Sequence, residues 1–283
     1  MLLAPHPADE HTDHAATWAF VAAAYMKTQN SRMAPQPELY TYLIHRGDYP
    51  IPHGYKKEEL LLPPGPLQKK RNNEWYTYSL TADNEVVKEQ ALEEYISQLR
   101  VPIMSNLLYS FVRRNELFEK MQIPAIMEEP AGVDLSTLES WQTRASLLVN
   151  PRGVNPLGAV ERKANITSVA GAMQNNLIWL RLHIPDFSGK RMRYHAVIVA
   201  FFEHQGTVRR EKKVFYVSTA DTDLPASDVL RFQDDVVIRL SPFEQGQPDY
   251  LFIQVTTRDI FGAVSNRTVW QPVLIQQLPK PGK

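Results

Sequence analysis

The chain has 283 residues, 43% of them hydrophobic, which is enough for one large or two ordinary buried cores. Thirty-one basic residues balance thirty-one acidic ones, so no overall field favours nucleic acid or an anionic membrane. The absence of cysteine excludes disulfides, thiolate metal sites and a cysteine nucleophile. No run approaches the ~18 apolar residues of a spanning helix, and Met1-Leu2-Leu3-Ala4 is too short for a signal-peptide core, so the chain reads as cytoplasmic.

Residues 2 to 4 read as the last turn of a strand. They run into Pro5-His6-Pro7-Ala8-Asp9-Glu10-His11-Thr12-Asp13-His14, which gathers three of the eight histidines and three carboxylates. Imidazole and carboxylate are the ligands that zinc accepts from a cysteine-free protein. From 13 to about 27 the residues are strong helix formers, with Ala15, Trp18, Ala22 and Tyr25 on one face and Thr12 or Asp13 as N-cap. The histidines therefore sit on a strand-to-helix loop, where open α/β sheets bind ligands. A second strand spans 39 to 44 and ends at His45-Arg46-Gly47-Asp48.

A proline-rich segment follows, from Pro50 to Pro66. Thr81 caps a helix of about 18 residues, and Pro102 opens another that runs through Phe111 to Leu117 and Phe118; both are expected to pack an apolar face onto a core. Arg113, Arg114 and Glu116 then form a solvated helix face. Past Pro124 the composition turns polar, with Pro130, Gly132, Pro151, Gly153, Pro156 and Gly158 marking a linker. Short apolar or alternating runs at 177–184, 194–202, 213–217, 236–240 and 250–256, separated by turn signals, suggest an antiparallel β-sandwich. Arg209, Arg210, Lys212 and Lys213 suit a solvated edge strand.

The segment His11-Thr12-Asp13-His14-Ala15-Ala16-Thr17, preceded by an apolar strand end and Pro-His-Pro, resembles the second motif of the LmbE or PIG-L deacetylases, His-Pro-Asp-His-x-Ala. The resemblance continues through 37 to 50, which contains His45-Arg46-Gly47-Asp48, and through 111 to 118, which is similar to a last helix of one bacterial subgroup. It covers roughly residues 1 to 121. It implies a zinc-dependent hydrolase that removes acetyl or related acyl groups from the nitrogen of N-acetylglucosamine-type sugars. In that family zinc polarises the amide carbonyl and holds a water that a carboxylate deprotonates.

Carried over by position, His14 is the metal ligand, His11 the donor to the developing oxyanion, and Asp13 the residue that fixes its orientation and charge. The family's earlier motif, His-Pro-Asp-Asp-Glu, supplies two further ligands and the base. Its nearest match is His6-Pro7-Ala8-Asp9-Glu10, which offers His6 and Asp9 as alternative ligands but places Ala8 at the base position. A long doubly wound stretch separates the two motifs in the family, so His6 to Glu10 read better as part of the second-motif loop. Zinc is accordingly expected for an intact family site and weak or absent in this chain.

The fold class expected is therefore α/β, an incomplete Rossmann-like doubly wound layer over 1–123, then a linker and irregular lead-in over 124–163, then an antiparallel β-sandwich over 164–283. The expected function is the C-terminal portion of a zinc-dependent N-acyl-sugar deacetylase, inactive by itself. The alternative is a non-catalytic glycan- or protein-binding module built on a degenerate half-domain and the sandwich. His45, Arg46 and Asp48 at the strand's end are candidates to line the substrate cleft, with the Arg46 guanidinium suited to sugar hydroxyls or a carboxylate, or else they form a local ion pair and turn. The partners expected are an N-acetylated sugar or glycoconjugate, with no nucleic acid and no membrane. Self-association or an upstream half-domain is expected as well, because a truncated layer exposes a sheet edge.

Overall fold

The structure, a computed structural model, describes residues 1–30, 37–68, 74–149, 166–185, 187, 192–204, 206–259, 261–268 and 270–276. It is mixed α/β with more strand than helix, 39% against 22%. The described residues divide into two compact units, one built mainly from 1–21 and 37–122, the other from 22–30, 123–149 and those between 166 and 276. Among the described residues, no helix is long and apolar enough to cross a membrane.

The first unit is organised on a four-stranded sheet. Strand β1 (Leu2–Pro5) lies parallel to β2 (Leu39–Tyr42), with Leu2 opposite Leu39 and Pro5 opposite Tyr42. The order is β1, β2, β4 (Asn115–Lys120), β3 (Glu74–Ser79), and both pairings of β4 are antiparallel. A parallel pair brings the C-terminal ends of β1 and β2 side by side, so the loops that leave them meet. The loop after β1 enters α1 (Thr12–Asn30), whose first turn is closed by the Ala15 N–H donating to His11 O.

Two helices differ from expectation. Thr81 does cap α3 (Ala82–Glu93), accepting from the Asn84 N–H, but that helix stops after 12 residues. A short α2 (Gly65–Gln68) precedes it, and α4 (Ile96–Leu99) and α5 (Pro102–Tyr109) follow. None of α3, α4 and α5 buries a residue. Val86, Val87, Ile96 and Ile103 are exposed, so these helices do not pack a face onto a core.

The stretch from 111 to 118 is a turn followed by β4 rather than the end of a helix. Two buried polar side chains cause this. The Arg113 guanidinium donates to the carbonyls of Ser110, Lys56 and Pro52, which ends α5. The Asn115 amide accepts from the Leu61 N–H and donates to Leu61 O. Strand alternation then buries Asn115, Leu117 and Glu119 on one side. Arg113 is 1% exposed, so it belongs to no solvated face, whereas Arg114 remains outside and pairs with Glu58.

The second unit contains two sheets. One orders β10 (Thr207–Val217), β9 (Arg193–His204), β13 (Tyr250–Arg258), β15 (Gln271–Gln276) and β5 (Ala125–Met127), with β14 (Val264–Arg267) also on β13. The other orders β11 (Val229–Arg231), β12 (Asp235–Arg239), β8 (Leu177–His183), β7 (Ser168–Gln174) and β6 (Ser146–Val149). All pairings are antiparallel except β15 with β5. Alternate residues of both sheets fill one core, Leu180 and Leu182 from β8 beside Ala196, Ile198 and Ala200 from β9. Asn175 and Asn176, at φ 52° and 62°, make the two-residue turn between β7 and β8. The expected alternating runs fall on β8, β9, β10, β12 and β13, and the basic strand β10 is the sheet's edge.

Residues 125–149, expected as linker, carry β5, a 3-10 turn at Glu139–Trp141 and β6. Trp141 is buried with Leu135, Ala170, Ala172 and Val237, so this segment covers the second face of the five-stranded sheet. The rest of that expectation, including Pro151, Gly153, Pro156 and Gly158, lies outside the described residues.

Candidate functional site

The site is built around the buried carboxylate of Asp9. A backbone bond from the His6 N–H to Tyr42 O prolongs the β1–β2 ladder, and the Glu10 N–H donates to His45 O, so the two loops are joined at the backbone. Asp9 fastens them further. Its Oδ1 accepts from the His11 N–H at 2.9 Å, and its Oδ2 accepts from the N–H groups of Ile44 and His45 at 3.1 and 3.0 Å. An ionised acceptor with three amide donors is a strong local clamp. The same Oδ2 lies 2.9 Å from His14 Nδ1, off the line of a proper hydrogen bond, so that buried nitrogen faces the carboxylate without an aligned partner.

Three imidazoles meet on this clamp. The ring centroids of His11, His14 and His45 are 5.1, 4.9 and 5.0 Å apart, taking the pairs 11–14, 11–45 and 14–45. Tyr42 adds an edge contact to His14 at 6.4 Å. Burial holds His45 below the ordinary imidazole pKa, and although Asp9 pulls the other way, His14 and His11 push it down further. Burial, then the Asp9 charge, pushes the Tyr42 phenol up, so it remains a neutral O–H.

Neighbouring groups assign tasks to two of the rings. His11 Nδ1 accepts from the Asp13 N–H at 3.3 Å, so the neutral ring carries its proton on Nε2, free to donate. It is thus the backbone of Asp13 that orients His11, while the exposed Asp13 side chain adds negative charge at the start of α1. With Nδ1 against Asp9, His14 keeps Nε2 for a ligand, in the manner of carboxylate-oriented metal histidines.

His6 and Asp9 are differently occupied. His6 Nδ1 accepts from the Ala8 N–H at 2.8 Å, and Nε2 donates to Glu119 on β4. The ring also stacks on Trp75 at 5.8 Å, and both His6 and Glu119 are buried. Asp9 is spent on the clamp. Arg46 is buried too, with its Nε 2.5 Å and its Nη2 3.3 Å from the Asp48 carboxylate, which makes the local ion pair. His11, Asp13, His14 and Asp9 are therefore together, His6 lies one step inward, and the Arg46 guanidinium is turned to its own loop.

Among the described residues, no three His, Asp or Glu side chains stand as a ready metal-ligand group. His45, expected with Arg46 and Asp48 as a cleft-lining candidate, joins the cluster, whereas Glu119 as the partner of His6 is not read from the sequence. The signal for His45 was present, since a polar loop after a strand parallel to β1 must end beside the loop after β1. Nothing in the run Asn115 to Lys120 marks Glu119. No protein-family model matches the chain, and no curated protein matches it either.

Proposed function

We propose that the first unit is the second-motif portion of a zinc-dependent hydrolase that removes N-acyl groups from N-acetylglucosamine-type sugars, on an incomplete Rossmann-like layer followed by a β-sandwich. The observation that carries this reading is the Asp9 clamp with His14 Nδ1 against it and His11 holding a proton on Nε2. When bound, zinc supplies Lewis acidity toward an amide carbonyl and its attacking water.

The chain's own residues do the rest of what is available here. Asp9 lies against His14 Nδ1 and so leaves Nε2 for a cation. His11 Nε2–H is a donor for the oxygen on which negative charge develops as the amide carbon becomes tetrahedral. The start of α1 adds its positive end to the same loop. Ala8 stands at the family's base position and Asp9 is committed to the clamp, so the family's base has no counterpart at its own position, and the carboxylates left in the loop, Glu10 and Asp13, are exposed. The isolated chain is therefore expected to bind substrate weakly and not to turn it over.

Imidazole NMR tests the reading. A methyl glycoside of N-acetylglucosamine, added with zinc, should shift the ring resonances of His11 and His14, and His14→Ala should remove the effect. Unshifted imidazole signals at saturating sugar and zinc would remove the basis for the proposal.

A further inference from the structure

The rings of His14 and His45 are spaced as two imidazole ligands of one metal ion are. Two imidazoles bound tetrahedrally, each nitrogen about 2.0–2.1 Å from zinc, hold their ring centres about 5 Å apart. The His14 and His45 centroids are 5.0 Å apart and the rings are inclined at 60°. Asp9 borders both, its Oδ2 lying 2.9 Å from His14 Nδ1 and accepting from the His45 backbone N–H. Neither ring nitrogen of His45 has a hydrogen-bond partner among the described residues, and no thiol competes.

We propose that His45 is a metal-ligating residue, a second imidazole beside His14 on a divalent transition-metal ion of zinc's kind, with His11 left as a hydrogen-bond donor at an open coordination position. The inference rests on the proposed function in its use of His14 as a ligand. It departs from the family resemblance in drawing a ligand from the loop after β2. Two neutral nitrogens and open oxygen or water positions suit a borderline ion such as Zn(II), and Co(II) can report on it.

The test is titration of the chelator-treated full chain with Co(II), followed by visible absorption and by displacement with Zn(II). One Co(II) per chain with nitrogen-ligated bands is expected. His45→Ala and His45→Gln should each weaken binding by more than the about 10–100-fold typical of losing an orienting partner, and His14→Ala should do the same. His195→Ala, in the second unit, should leave binding unchanged. Both His45 variants keep the backbone N–H that Asp9 requires, and circular dichroism checks that they fold. Co(II) bound in full by the His45 variants but not by His14→Ala would overturn this inference and leave the proposed function standing. No Co(II) bound by the wild-type chain would also overturn it, whereas the deacetylase reading is decided separately by amine release from the chain joined to a half-domain that carries the first motif.

Discussion

Replacing Asp9 by alanine removes the acceptor on which both site loops depend. The side chain is fully buried, and it takes three backbone N–H groups that then have no partner. A hydrogen bond to a charged group is worth about 1.5–3 kcal/mol, and an orphaned buried donor costs about 1–3 kcal/mol. The three bonds share one carboxylate and are not additive, and His45 and the exposed His11 let water reach two of the donors. The net loss should therefore be about 3 kcal/mol. For a unit of roughly 100 residues this lowers the midpoint by about 10–20 °C. Asp9→Asn keeps one acceptor and should lose about half as much. Calorimetry resolves the transition of the first unit, and hydrogen exchange reads the amides of Ile44 and His45 directly. A midpoint within 2 °C of wild type (roughly 0.5 kcal/mol or less), with those amides still protected, would refute the clamp.

Four further outcomes follow from the same coordinates. Ala8→Asp completes a His-Pro-Asp-Asp-Glu string, yet it should produce no amine release from N-acetylglucosamine derivatives, because His6 is held by Glu119 and Asp9 by the clamp; turnover with zinc would show those groups to be free. Arg113→Ala should destabilise the first unit by about 3 kcal/mol or more, since it strips the carbonyls of Ser110, Lys56 and Pro52 of a buried charged donor, and a denaturant midpoint measures it. Gly171→Ala should cost about 1–3 kcal/mol in the second unit, because a methyl there meets Leu147 Cδ1 at 2.7 Å and Ile126 Cγ1 at 2.8 Å. His45 should titrate below about 6.5, the unfolded imidazole value; its neutral form is favoured in the folded chain, so its contribution to stability is present above that pH and lost as pH falls through the lowered value, which histidine NMR follows.

The sequence was most legible where pattern and structure share a period. The strands at 177–183 and 193–204 alternate buried and half-buried residues, and 250–258 is an apolar run buried on both faces. The strand β4 was misread because Leu117 and Phe118 suit a helix face equally well. What decides against a helix is the burial of Arg113 and Asn115, whose partners lie more than fifty residues away in sequence. The helices α3 to α5 were read correctly as helices and wrongly as core elements, since an apolar stripe reports the capacity to bury a face and not the presence of something to cover it. Strand β3, at the edge beside β4, was missed altogether: its burial is slight and its tyrosines lie on the exposed side.

The site was half legible. His11, Asp13 and His14 stand out by density and by resemblance, and the structure brings them onto one clamp. The clamp itself was hidden, because a carboxylate that binds three amides looks in sequence like any other acidic residue in a loop. Asp9 is read as a ligand from its motif and as an organiser from its hydrogen bonds.

The central claim is tested most directly by joining this chain to a half-domain that carries the His-Pro-Asp-Asp-Glu motif and assaying zinc-dependent amine release from an N-acetylglucosamine glycoside, with His14 intact and with His14→Ala. Release that chelation abolishes, zinc restores and His14→Ala eliminates is the predicted result, against none from the chain alone. No release from the joined protein, or release that survives His14→Ala, would contradict the account.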